Sequence, residues 1–310
     1  MASEGKETML ISFSGGETSA FMLQWLLKHK KDKFNFIIVF ANTGRENNET
    51  LDFVKKVGEF FNIEIVWVES KIGGRVDKGT HHTIVSYETA TRKNDWKLRD
   101  NTPYEEMIKK YGIPNIENRF STRELKDKAI TSYMRSIGFK NKTYITTIGI
   151  RVDEFDRMSE SAKQRGFAYP LISWKPTTKK HVNFYWAQMP FRLELKGYWG
   201  NCVDCYKKYL HKLYAIAKES PEEFEFAQAM ERKYEYYLPE GRRKALEKKG
   251  KPIPPPPYRF YREKKSANDI LEIAKTWTKE MIDDKLDTNI QNDLFEDEIE
   301  SCEVFTSCGD

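Results

Sequence analysis

Thr8-Met9-Leu10-Ile11-Ser12-Phe13-Ser14-Gly15-Gly16-Glu17-Thr18-Ser19 is the stretch on which the fold turns. The run Thr8 to Phe13 is β-branched, apolar and short, which reads as a buried strand. From Thr18 to Lys30 the apolar residues Phe21, Met22, Trp25 and Leu26 recur at helical spacing. Ser14 to Ser19 must therefore carry the chain from a strand directly into a helix. Glycines there let the backbone approach an anion, hydroxyl side chains donate hydrogen bonds, and a helix N-terminus offers N–H groups. A tight turn capped by Thr18 would use the same residues, so the loop alone leaves both readings open.

Working outward, Phe36 to Ala41, Ile63 to Val68 and Thr143 to Ile150 read as three more strands. Glu49 to Phe61, with Leu51, Val54, Val57 and Phe61 on one stripe, reads as a helix packed on a sheet. Strands alternating with helices predict an α/β fold with a parallel sheet flanked by helices. Thr122 to Ile137, Cys205 to Lys218 and Ser266 to Met281 also carry helical patterns, and Ser220-Pro221-Glu222-Glu223 is a helix start signal. Pro252 and Pro254 to Pro257 bar a helix across Lys251 to Tyr258. The expected organisation is a nucleotide-binding α/β domain over 1–198 and a smaller helical, cysteine-bearing module over 199–250. A proline-rich basic linker over 251–265 and a C-terminal helix with an acidic tail over 266–310 follow.

No stretch approaches the roughly 20 apolar residues of a membrane span, and the polar start Met1 to Thr8 runs straight into a strand. Four cysteines, none before Cys202, are too few and too uneven for a secreted disulfide scaffold. A cytoplasmic protein without a membrane partner is expected. A net charge of +5 hides an uneven distribution: Arg242 to Lys265 is basic and Asp283 to Glu300 acidic.

SGGETS resembles the SGGxxS loop of the PP-loop ATP pyrophosphatase (adenine nucleotide alpha hydrolase) superfamily, and further segments are similar to its phosphoadenosine-phosphosulfate (PAPS) reductase branch. These are Asn42-Thr43-Gly44-Arg45-Glu46 followed by Glu49-Thr50-Leu51-Asp52-Phe53-Val54, then Thr122-Arg123-Glu124-Leu125-Lys126, then Gly149-Ile150-Arg151-Val152-Asp153-Glu154 with Arg157. Together they cover roughly Met9 to Cys205 in the family's order. The resemblance implies an adenine nucleotide, ATP or PAPS or adenylylsulfate, over the C-terminal edge of the strands. Ser14, Gly15, Gly16, Glu17, Thr18, Ser19, Asn42, Thr43 and Gly44 are the candidate nucleotide-binding residues. Arg151, Arg157 and Lys126 are candidates to neutralise phosphates or developing charge, and Arg151, just beyond a strand, is expected to matter more for turnover than for folding. The implied reactions are sulfonate reduction, an oxidoreductase step of sulfur metabolism, or ATP-dependent adenylylation or sulfur transfer. The nucleotide loop does not separate them.

Glu17 stands where family members often carry a basic residue; beside phosphates its carboxylate must point away or bind magnesium, a further candidate cofactor. The family's C-terminal Glu-Cys-Gly-x-His motif is absent, with Cys308-Gly309 its partial echo, which leaves Cys308 as a candidate nucleophile served by a thiol reductant. Related adenylylsulfate reductases hold an iron–sulfur cluster with a Cys-Cys pair and a later CxxC. Phe120-Ser121 occupies the pair's approximate place here, whereas Cys202 and Cys205 form a CxxC read as lying immediately before a helix. With Cys302 and Cys308 they would make a four-thiolate site for zinc or an iron–sulfur cluster; free or redox-paired thiols are the alternative. His81 and His82 read as a solvated turn. Cations and aromatics interleave from Arg242 to Arg262, so a nucleic-acid acceptor, or a nucleic-acid-associated factor with reduced catalysis using 242–265, is the competing function.

Overall fold

The computed structural model describes residues 5–73 and 79–288. Its centre is a six-stranded sheet in the order β4-β3-β2-β1-β5-β6. β1 (Glu7–Phe13), β2 (Phe34–Asn42), β3 (Val66–Ile72), β5 (Ile145–Thr147) and β6 (Phe167–Ala168) are mutually parallel, and β4 (Thr80–Val85) runs antiparallel to β3. The expected parallel α/β architecture holds, with an antiparallel edge strand added. That edge is where His81 and His82 sit, paired with Lys71 and Ser70 across the ladder, rather than in a turn. Alternation of exposed and half-buried residues along β4 made it hard to tell from a loop.

The pleat of β1 explains the two apolar layers. Met9, Ile11 and Phe13 face one side, with α1 (Glu17–His29), α2 (Asn48–Phe60) and Trp186; Leu10 faces the other, against Ala129, Ile130 and Met134 of the helix Lys128–Ser136. α3 (Pro103–Tyr111) joins the later helices Leu210–Glu219, Glu225–Tyr234 and Ala267–Thr276 around a third cluster that includes Met107, Ile108, Tyr206, Leu213, Phe224 and Ile270. Two expected helices differ in detail. The one read from Thr122 begins at Phe120 and passes through a π segment, Arg123–Asp127, before Lys128. The one read from Cys205 begins only at Leu210, so Cys202 and Cys205 lie ahead of its first turn, beyond the short reach of its dipole.

Phe260 and Tyr261 of the basic stretch are 4% and 2% exposed and belong to the third cluster. Arg242 is buried, donating to the Tyr111 carbonyl, and Arg259 pairs with Glu235. These rings cannot stack on bases as the sequence pattern suggested, because the apolar core takes them first. Among the described residues no helix is long and apolar enough to cross a membrane.

Candidate functional site

The C-terminal ends of β1, β2 and β5 lie side by side, and the chain that leaves each one builds the site. After β1, Gly15 turns with φ +83° and Gly16 opens α1 with φ −99°, ψ 163°. A Cβ on Gly15 would stand 2.8 Å from Thr50 Cγ2 and 3.0 Å from Phe40 Cε2, so α2 and β2 pack directly on the loop backbone. Ser14 and Ser19 hydroxyls are 2.8 Å apart, and Ser19 Oγ donates to the Gly16 carbonyl, which locks the loop to the first turn of α1. From the other side Asn201 Nδ2 donates to the Ser14 carbonyl at 3.1 Å. Gly149 fits for a similar reason: a Cβ there would be 3.1 Å from Ser19 Cα.

A cleft of about 60 Å³ opens at this loop, lined by Ser14, Gly16, Glu17, Thr18, Arg151, Glu154, Lys179, Lys196, Asn201 and Lys285, among others. Arg151, 3% exposed, donates to Thr18 Oγ1 at 3.0 Å and ion-pairs with Asp153 at 3.1 Å and Glu154 at 3.4 Å. Arg157 is also buried and holds Glu154 at 2.5 Å. This corrects the expectation that Arg151 has no buried structural role: the strand end turns inward, and the guanidinium clamps the Val152–Arg157 turn to the nucleotide loop.

Glu17 lines the cleft, but its carboxylate is already held by basic groups. Its carboxylate accepts from Arg192 Nε and Nη2 at 3.0 and 3.1 Å and from the Leu193 amide at 3.2 Å, and it lies 3.5 Å from Lys285 Nζ. Both oxygens are thus committed to cations and an amide, a donor set that does not suit it as a magnesium ligand.

Asn42, Thr43 and Gly44 stay out of that cleft. Asn42, fully buried, donates to Glu69 at 2.6 Å and to the Thr91 carbonyl at 2.9 Å; Glu69 in turn accepts from the Thr91 amide, and burial pushes its carboxyl above the usual range. Thr43 donates through its amide and hydroxyl to Glu46, which pairs with Lys126 at 3.6 Å. Thr43, Glu46 and Lys126 line a second cavity of about 20 Å³ with Tyr104, Ser121, Thr122, Leu125, Cys202 and Cys205. The segment Phe120 to Thr122 and the CxxC, far apart in sequence, therefore meet. Among the described residues no group of three or more His, Cys, Asp or Glu side chains could hold a metal. Two thiols facing Ser121 and Thr122 do not supply a four-thiolate cluster or a closed zinc site. Cys302 and Cys308 lie outside the described residues.

The CxxC is bolted to the turn after β2. Glu46 and Cys202 form a bridge, the Val203 amide donates to the Arg45 carbonyl, Arg45 reaches Asp204 at 2.9 Å, and its guanidinium sits 4.2 Å from the Phe226 ring centre. Sequence reading missed Asn201, Lys179, Lys196 and Lys285. Asn201 adjoins the CxxC and had a visible signal in Gly200-Asn201-Cys202; the lysines carry none, because surface and site lysines look alike in sequence.

A model of the phosphoadenosine phosphosulfate reductase domain matches residues 8–178, more than half of the chain. The chain belongs to the phosphoadenosine phosphosulfate reductase family. The PAPS reductase-like match spans the strands and the loop described above, and with it comes the PP-loop ATP pyrophosphatase superfamily and, at the level of the family, a role in binding an adenine nucleotide. The chain is also similar to the uncharacterized nin region protein ORF290 of Escherichia phage lambda, at 32% identity over 212 residues, 68% of this chain and 69% of that protein.

Proposed function

We propose that this PAPS reductase-like protein is an enzyme that binds ATP at the Ser14–Ser19 loop and transfers its adenylyl group to an acceptor. The observation that carries this reading is the cleft at the N-terminus of α1, whose lining includes Arg151, Lys179, Lys196 and Lys285, each also paired with a carboxylate. Several basic side chains beside N–H groups that point out of a helix suit a polyphosphate better than a single sulfonate. In the reaction an acceptor nucleophile bonds to the α-phosphorus, the bond from that phosphorus to the bridging β-oxygen breaks, and pyrophosphate leaves into the loop. The charge that develops on the leaving group is met by these cations, already in place before the reaction. Thr18 and Arg151, joined by a hydrogen bond, would hold the phosphates in line.

Incubation of the protein with ATP and candidate acceptors, scoring AMP-linked product and pyrophosphate, tests it; sustained absence of pyrophosphate release would refute it. A second reading, sulfonate reduction, is favoured by the family match itself. Sulfite release from PAPS with a thiol reductant would select it instead.

A further inference from the structure

Glu17 and the segment that carries Lys285 are far apart in sequence, yet Lys285 is only 7% exposed and its ammonium sits against Glu17 in the wall of the loop cleft. The 283–287 segment is fastened there by several bonds of its own. Asn183 Nδ2 donates to the carbonyls of Asp284 and Asp287 at 2.7 and 2.9 Å, and the Gly197 amide donates to Asp283 at 2.8 Å. Lys285 Nζ donates to the Leu193 carbonyl at 2.6 Å, and Arg192 Nη1 reaches back to the Lys285 carbonyl. A lysine held this way is costly: burial pushes its pKa below the usual lysine range, against the pull of Glu17. The ammonium answers the buried Glu17 carboxylate and the Leu193 carbonyl, and it also lines the cleft at the loop.

The charges at the loop explain it. The resemblance to PP-loop proteins leads one to expect a basic residue at position 17, and this chain has a carboxylate. That carboxylate is flanked by two cations, Arg192 and Lys285, so this trio carries one net positive charge placed by tertiary structure, while Asp284 and Asp287 of the same segment are answered by Lys179 at 3.5 Å and Lys180 at 3.4 Å. We propose that the 283–287 segment is a phosphate-binding strap: Lys285, positioned by Glu17, supplies the cation that the loop lacks and contacts a pyrophosphate group, whether free or as the β- and γ-phosphates of a nucleotide. This rests on the nucleotide reading above. Glu17 acts through Lys285 and is a positioning residue, whereas Lys285 touches the ligand.

The test is calorimetric titration of inorganic pyrophosphate, ATP and AMP into the full chain. Lys285→Gln is expected to weaken pyrophosphate and ATP about tenfold, the scale of one charge-assisted hydrogen bond, while AMP changes less than about twofold. Lys285→Arg should keep the wild-type affinities within about threefold. The double exchange Glu17→Lys with Lys285→Glu returns the cation to the loop and should recover most of the loss. If the wild type binds pyrophosphate and Lys285→Gln binds it equally well, the strap is refuted and the nucleotide reading stands. Equal losses for AMP and pyrophosphate in both single Lys285 variants would also refute it, by marking a structural role. A wild type that binds neither pyrophosphate nor ATP overturns the nucleotide reading and the strap together. Should Lys285→Gln fail to fold, the arginine variant and the double exchange decide the matter by the same comparison.

Discussion

Replacing Gly15 by alanine separates the loop's structural glycine from its neighbour. At φ +83° an L-residue is strained by roughly 1–2 kcal/mol. The new Cβ would also stand 2.8 Å from Thr50 Cγ2, 3.0 Å from Phe40 Cε2 and 3.1 Å from Val54 Cγ2. Phe40 and Val54 are fully buried and Thr50 is anchored in α2, so none can swing aside, and overpacking of this kind adds about 1–3 kcal/mol. The sum, roughly 2–5 kcal/mol, corresponds to a fall in Tm on the order of 5–15 °C for a chain of this size. Gly16→Ala is the control. Its φ of −99° suits any residue, and its Cβ would meet only the Asn201 amide at 3.0 Å, so its cost is about that of the amide's hydrogen bond to the Ser14 carbonyl, roughly 1 kcal/mol and a Tm loss of about 2–4 °C. Scanning calorimetry or thermal circular dichroism on both variants measures this. A Gly15→Ala protein as stable as Gly16→Ala would refute the packing of α2 on the loop.

Arg151→Ala should cost both stability, by about 3 kcal/mol through the orphaned Asp153, with Glu154 still held by Arg157, and nucleotide affinity through Thr18; urea unfolding and calorimetry that show a loss in only one of the two would contradict the clamp. Asp204→Ala strands the 3%-exposed Arg45 and should lower stability by about 3–5 kcal/mol, whereas a change under about 1 kcal/mol in urea unfolding would show that the CxxC is not held by that pair. Burial raises the Glu231 carboxyl from 4.5 to about 7, over the opposing pull of the Ala267 and Phe260 amides. Its folded form therefore holds a proton that the unfolded form has lost. The stability it contributes is present below about pH 4.5, falls by roughly 3 kcal/mol as pH rises to about 7, and is flat above. Wild type measured against Glu231→Gln in urea should show that slope, and a pH-independent difference between pH 5 and 8 would exclude it.

Strand and helix order was legible because β1 and β2 carry short, β-branched apolar runs and the helices after them carry helical patterns, with a glycine turn after β1. β4 was not, since an antiparallel edge strand with polar alternation has no apolar signature, and β6 is only two residues long. At the site, Ser14 to Ser19 and Arg151 could be named from motifs that sit at strand ends. The roles of Asn42 and Thr43 could not: side chains that saturate one another look, in sequence, like side chains that await a ligand. Glu17 was visible as a misfit, but the resolution of that misfit lay in Arg192 and Lys285, residues brought near only by the fold.

The central claim is that the Ser14–Ser19 loop receives nucleotide phosphates, and titration of ATP into the wild type and into Gly16→Asp tests it most directly. Gly16 has ordinary backbone angles and meets only the Asn201 side-chain amide, so the variant should fold at the cost of about one hydrogen bond to Ser14, yet its carboxylate would project at the phosphate approach. The account predicts saturable one-site binding of ATP to the wild type and none to the folded variant. Equal ATP affinity in the two proteins, or no ATP binding by the wild type, would contradict it.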